Sequence, residues 1–119
     1  WDKDLFQIKQ RIQNITHHEF NSVLLNEYPD GSVGMGWHSD DEKELGVNPI
    51  IASVSLGAER DFLFRHKKDK SKELVKILLK HGSLLLMMGS TQHHWHHSLP
   101  IRRKVKDRRI NLTFRNIVS

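Results

Sequence analysis

The heptapeptide Arg109-Ile110-Asn111-Leu112-Thr113-Phe114-Arg115 alternates polar and apolar side chains without a break. Extended backbone sends residues i and i+2 to the same face. Ile110, Leu112 and Phe114 therefore face one way, and Arg109, Asn111, Thr113 and Arg115 the other. An ordinary half-buried strand turns such a polar face to solvent. A barrel interior is the alternative, and there the two arginines form an anion site, because guanidinium binds carboxylates through paired N–H donors. At ~3.3 Å per residue their α-carbons stand roughly 20 Å apart. That is too far to grip one carboxylate, but leaning inward the pair can bracket a short dicarboxylate. Asn26 and Tyr28, again at i and i+2, are candidates to add hydrogen bonds from a neighbouring strand.

Working outward, the same period recurs in short runs. Phe20–Tyr28 reads as a strand closed by the turn Pro29-Asp30-Gly31-Ser32. Ile50–Leu56 alternates and ends at Gly57, with Asp61–His66 as its expected hairpin partner. Leu74–Leu79 and Ser83–Met88 straddle His81-Gly82, which predicts a second hairpin. His93–Leu99 and Arg109–Val118 complete the set. Ahead of them, Leu5, Ile8, Ile12 and Ile15 fall at helical spacing, so residues 2–15 predict one amphipathic helix, with Asp2 and Asp4 as candidate caps. Short strands between frequent turns predict a mainly β sandwich or barrel, and 119 residues suffice for a single domain, 1–119.

Cysteine is absent, which excludes disulfides and thiolate metal sites and leaves His, Asp and Glu as ligands. No apolar run approaches the ~20 residues that cross a bilayer, and Leu84–Met88 is only strand length. The chain begins at Trp1 and neither end reads as a secretory signal. The expectation is a soluble intracellular monomer with no membrane partner. A formal net charge of +5 and a sequence pI near 9.7 point to a polyanionic partner, nucleic acid above all. Two basic segments are the candidates, Arg60 through Arg65, His66, Lys67, Lys68, Lys70 and Lys72, and Arg102 through Arg108. Most charge runs are simply solvated faces.

His38 and Asp40, two apart in Trp37-His38-Ser39-Asp40-Asp41-Glu42, can reach one ion from extended backbone. His93-His94-Trp95-His96-His97 is the supplier of a third ligand. Alternation puts His93 and His97 on one face and His94 and His96 on the other, and leaves the choice between them open. Two imidazoles and a carboxylate with open metal positions are the donor set of non-haem Fe(II) oxygenases. Trp37, next to His38 on a strand, points away from the metal and is expected in the core.

Six stretches in this order make a specific resemblance: Asn26-x-Tyr28, Trp37-His38-x-Asp40-Asp41-Glu42, Ala52–Gly57, Arg60-Asp61-Phe62-x-Phe64-Arg65-His66, His94–Pro100 and Arg109–Arg115. Together they resemble the AlkB family of Fe(II)- and 2-oxoglutarate-dependent dioxygenases, over effectively the whole chain and closest to its DNA-repair branch. The resemblance implies a jelly-roll, with iron on His38, Asp40 and His97, the histidine before Ser98-Leu99-Pro100. It implies that Arg109 holds the distal carboxylate of 2-oxoglutarate with Asn26, Tyr28, Asn111 and Thr113 around it, and that Arg115 holds the carboxylate beside the iron. Asp41 and Glu42 would face the substrate base, and Arg60 and Arg65 would meet nucleic acid. The implied reaction consumes O2 and hydroxylates the alkyl carbon of an N-alkylated base in DNA or RNA, releasing formaldehyde, CO2 and succinate. A hydroxylase of the same fold acting on another substrate, and a non-enzymatic jelly-roll that merely holds a metal, are the alternatives. Family members carry a long region before the core that forms a lid over the substrate. Here 25 residues precede Asn26, and a helix and the start of a strand account for them, so these residues are not expected to include the lid.

Overall fold

The computed structural model describes residues 1–41, 43–46, 48–69 and 71–118. The predicted helix is α1, Lys3–Thr16. Asp2 caps it, its side chain accepting from the N–H groups of Asp4 and Leu5, two donors that a helix cannot satisfy internally. It ends at His17, which takes a left-handed conformation (φ 58°) and donates its N–H to the Gln13 carbonyl.

Eight strands follow among the described residues: β1 (Ser22–Tyr28), β2 (Met35–His38), β3 (Ile51–Gly57), β4 (Arg60–His66), β5 (Val75–Leu79), β6 (Leu84–Met87), β7 (Trp95–Leu99) and β8 (Arg109–Arg115). They form two antiparallel four-stranded sheets in the orders β1-β8-β3-β6 and β2-β7-β4-β5. This is the jelly-roll that the resemblance implied, with its one leading helix. The predicted strand His93–Leu99 is shorter than expected, because Thr91–His94 forms a single helical turn, α2, before β7 begins at Trp95.

Neither predicted hairpin exists. β3 pairs with β6 and β8, while β4 pairs with β5 and β7. Likewise β5 and β6 lie in different sheets. Both short links carry the chain across the sandwich. The reason lies in burial: Ile51 of β3 and Met87 of β6 pack against Phe64 and Phe62 of β4 and Ile77 of β5. Each sheet must bury an apolar face on the other, so sequence neighbours meet face to face rather than edge to edge. Gly57 permits the first crossing. Its φ is +94°, and a Cβ there would lie 2.3 Å from the Arg108 carbonyl oxygen.

The alternation in β8 is resolved by α1. Leu112 and Phe114 join Ala52, Phe20 and Ile12 in one buried cluster, against which Leu5, Ile8 and Ile110 pack. The helix thus covers the outer face of the first sheet, with Trp1 stacked parallel to Phe114 at 6.4 Å. The polar face of β8 is left to point between the sheets. Trp37 corrects the core expectation: it is half-buried, with the Arg65 guanidinium 4.3 Å from its ring centre. No described helix is long and apolar enough to cross a membrane.

Candidate metal centre

β2 and β7 run antiparallel with His38 directly opposite His97. Their register shifts between Met35 and His38, a local irregularity of the sort that re-aims side chains beside functional sites. The two rings approach edge to face at 4.3 Å. Asp40 lies two residues beyond the end of β2, its Oδ2 3.6 Å from His97 Nε2. One ligand atom each from His38, Asp40 and His97 lies within 4.8 Å of the other two, with Asp40 and His97 buried.

The electrostatics prepare these donors. His38 Nδ1 stands 2.9 Å from the Gly36 carbonyl oxygen. A carbonyl only accepts, so Nδ1 carries the proton and Nε2 keeps its lone pair, the usual outer-sphere arrangement for a ligating histidine. Burial by itself pushes the Asp40 carboxyl up. The His97 imidazole, the Arg115 guanidinium and the His38 ring outweigh it and hold the group below the ordinary carboxylate value. His97 is 3% exposed, yet neither of its ring nitrogens has a hydrogen-bond partner. Idle buried nitrogens are rare, and a metal ion accounts for one of them. The donor set, two imidazoles and a carboxylate, suits Fe(II). His38, Asp40 and His97 form a metal-binding site.

The site opens into a cavity of about 230 Å³ between the sheets. Asn26, Tyr28, His38, Asp40, His97, Arg109, Asn111, Thr113 and Arg115 all line it, as do Ser53, Phe62 and Met87. The two arginines sit at opposite ends of β8. Arg115 places its Nη2 3.4 Å from Asp40 Oδ1. Arg109 is 3% exposed, donates to Ser55 Oγ at 3.1 Å and stands 5.3 Å from the Tyr28 ring centre. Burial lowers the Arg109 pKa and raises that of Tyr28. Between them Ser53 Oγ donates to Asn111 Oδ1 at 2.6 Å, and Asn111 Nδ2 donates to Thr113 Oγ1 at 2.8 Å. The Nε atoms of both arginines are buried without partners. The cavity therefore presents a metal triad at one end, a buried guanidinium at the other, and polar side chains along one wall.

A family model described as the 2OG-Fe(II) oxygenase superfamily matches residues 1–115. The chain belongs to that superfamily. Within this superfamily it is similar to "DNA oxidative demethylase ALKBH2" of Bos taurus, at 48% identity over 99% of this chain and 45% of that protein. The human protein of the same name is also 48% identical, over 99% and 48% of the two chains. "Alpha-ketoglutarate-dependent dioxygenase alkB homolog 3" of Rattus norvegicus is 45% identical over 98% of this chain and 42% of that one. The chain spans about half the length of these relatives. Among solved structures, "The structure of OsALKBH1" matches with a TM-score of 0.63 and 25% identity, covering 96% of this chain and 62% of that one. The AlkB resemblance in the motifs is thereby borne out.

The substrate-facing expectations fare differently in this member of the superfamily. Arg60 was expected at nucleic acid, but it is 1% exposed, and its guanidinium donates to the carbonyls of Asp30, Val33 and Pro100 at 2.9–3.3 Å. It ties the loop after β1 to the end of β7, so it is unable to reach a phosphate. Arg65 is half-buried against Trp37 and does not line the cavity. Asp41 is exposed outside the cavity, paired with Lys67 at 3.7 Å. Glu42 and Lys70 lie outside the described residues. Sequence reasoning missed Ser53 and Ser55, which lie on β3 beside β8, although two serines at i and i+2 on a strand were a visible sign of a polar interior. It also missed Gln92, which carries no pattern at all.

Proposed function

We propose that residues 1–119 form one catalytic domain that oxidatively dealkylates N-alkylated nucleobases in DNA or RNA, with Fe(II), 2-oxoglutarate and O2. The carrying observation is the pairing of the His38–Asp40–His97 triad with buried Arg109 and half-buried Arg115 along one cavity. A module that merely holds metal has no use for two guanidinium groups on its interior wall.

Fe(II), 2-oxoglutarate and O2 together supply hydroxylation of a C–H bond coupled to conversion of 2-oxoglutarate to succinate and CO2. The residues hold and orient. Arg109 binds the distal carboxylate, assisted by Tyr28, Asn26 and the Asn111–Thr113 pair. Arg115, already beside Asp40, binds the carboxylate near the metal. The cavity is smaller than the ~300–1,000 Å³ of drug-sized sites, which suits a short dicarboxylate and leaves the target base to approach from the open side. Such a base must leave its stack, at least cost when damage prevents pairing. On an N-alkylated base, the hydroxylated carbon departs as formaldehyde. The nucleic-acid reading is favoured by the similarity to proteins named as DNA oxidative demethylases and by the exposed cations Arg103, Lys104, Lys106 and Arg108.

The test is anaerobically loaded Fe(II) protein given 2-oxoglutarate, O2 and a methylated oligonucleotide, with loss of one methyl group followed by mass. Demethylation with stoichiometric succinate is expected, abolished by His38→Ala and Asp40→Ala and weakened by Arg115→Ala through a higher KM for 2-oxoglutarate. Succinate without demethylation would move the substrate outside nucleic acid. Turnover surviving Asp40→Ala would end the triad assignment.

A further inference from the structure

Resting on the metal reading above, we infer that Gln92 is a positioning residue of the metal centre, holding the Asp40 main chain where its carboxylate completes the triad, and that Lys67 in turn holds Gln92. β2 ends at His38, so the Asp40 N–H lies past the β2–β7 ladder. Asp40 is 7% exposed, which leaves that donor little access to water, and a buried backbone N–H needs a partner. Gln92 Oε1 supplies one, accepting at 2.7 Å across 52 residues of sequence.

Gln92 is 1% exposed, among the most deeply buried side chains of the molecule. Its amide is committed at both ends, since Nε2 reaches Met87 Sδ at 3.5 Å. A buried amide carries a desolvation cost that a leucine of similar size avoids. Packing alone gives no reason for an amide here, whereas anchoring a ligand-bearing loop does. Lys67, just past β4, secures the anchor. Its Nζ donates to the Gln92 main-chain carbonyl at 2.7 Å and pairs with Asp41 at 3.7 Å. Its own N–H donates to the His94 carbonyl at 2.8 Å. The Asp40 loop is thus tied on both sides to α2 and to the end of β4, rather than to its own strand.

The measurement is Mn(II) affinity by electron paramagnetic resonance, with the visible spectrum of the Co(II) form, on the full chain well below each variant's melting temperature. Gln92→Leu is expected to weaken Mn(II) binding about 10–100-fold, the usual effect of removing an outer-sphere partner, and to alter the Co(II) band shape. Gln92→Glu keeps an acceptor at the same reach and restores the wild-type band shape. A Gln92→Leu protein that melts earlier but binds Mn(II) with wild-type affinity and shows the wild-type Co(II) spectrum would overturn the inference in favour of plain core packing. Should Gln92→Leu not fold, Lys67→Met carries the same question: weaker Mn(II) binding, recovered by Lys67→Arg, supports the tether, and unchanged binding overturns it. Wild-type protein binding neither ion would overturn the metal reading as well, an outcome distinct from failure of the Gln92 assignment alone.

Discussion

Arg60 and Arg109 both carry guanidinium into the interior beside Tyr28, 5.9 and 5.3 Å from its ring centre, and they do different work. The terminal nitrogens of Arg60 are spent on three main-chain carbonyls, so its charge closes the end of the barrel. Arg109 donates only to side chains, Ser55 Oγ and Asn111 Oδ1, which suits a residue awaiting an anion. Arg60→Met should therefore cost about 3 kcal/mol of stability, since it removes charged donors from three partly buried main-chain acceptors at once. Urea unfolding of the metal-free protein measures this, and a variant of unaltered stability would return Arg60 to the surface role expected from sequence. The polar face of β8 was legible from its period. The depth of Arg60 was not, because a linear sequence shows that a residue is charged but not that distant carbonyls from residues 30, 33 and 100 converge on it.

At the scale of elements, α1 covers the face of the first sheet opposite the cavity, and Ile12 is its most buried residue at 4% exposure. Ile12→Ala should destabilise the protein by about 3 kcal/mol through lost burial and the void left behind, while Mn(II) affinity of the folded protein stays unchanged. Thermal unfolding and metal titration of the same variant check the two halves, and a parallel loss of affinity would mean that the helix shapes the site. Strand positions were readable because period two is a local property. Strand partners were not. Whether Ala58-Glu59 turns the chain beside β3 or over it depends on which face β4 must bury, and Phe62 and Phe64 meet their partners across the sandwich. The same distance hid Gln92, whose role depends on a residue 52 positions earlier.

For the molecule as a whole, the net charge of +5 is carried in part by exposed loop residues, Lys68 and Lys72 after β4 and Arg103, Lys104, Lys106 and Arg108 before β8. Nucleic-acid affinity should fall with salt with a log–log slope of about −0.9 per duplex phosphate neutralised. Arg103→Gln should make that slope shallower by about one such increment if the residue meets a phosphate. Fluorescence anisotropy across a salt series reads both, and a flat response would remove the loops from the interface. Composition pointed to the polyanion. Only burial could sort the cations, since Arg60 and Arg65 belong to the same charge run as Lys68 and Lys72 and do not share their exposure.

The order of the first sheet has a consequence for synthesis. Among the described residues β8 is the last of the strands to be made, yet it lies between β1 and β3 and is the only neighbour of β1. At ~5–20 residues per second on a ribosome, on the order of ten seconds separate the appearance of Tyr28 from that of Arg109. For that interval β1 lacks its one partner among the described strands, and Leu24 and Leu25 leave the tunnel on an open edge of the kind that pairs with other chains. The cavity wall and the ladder that closes the sheet arrive together, in the same seven residues, long after β1 has left the tunnel.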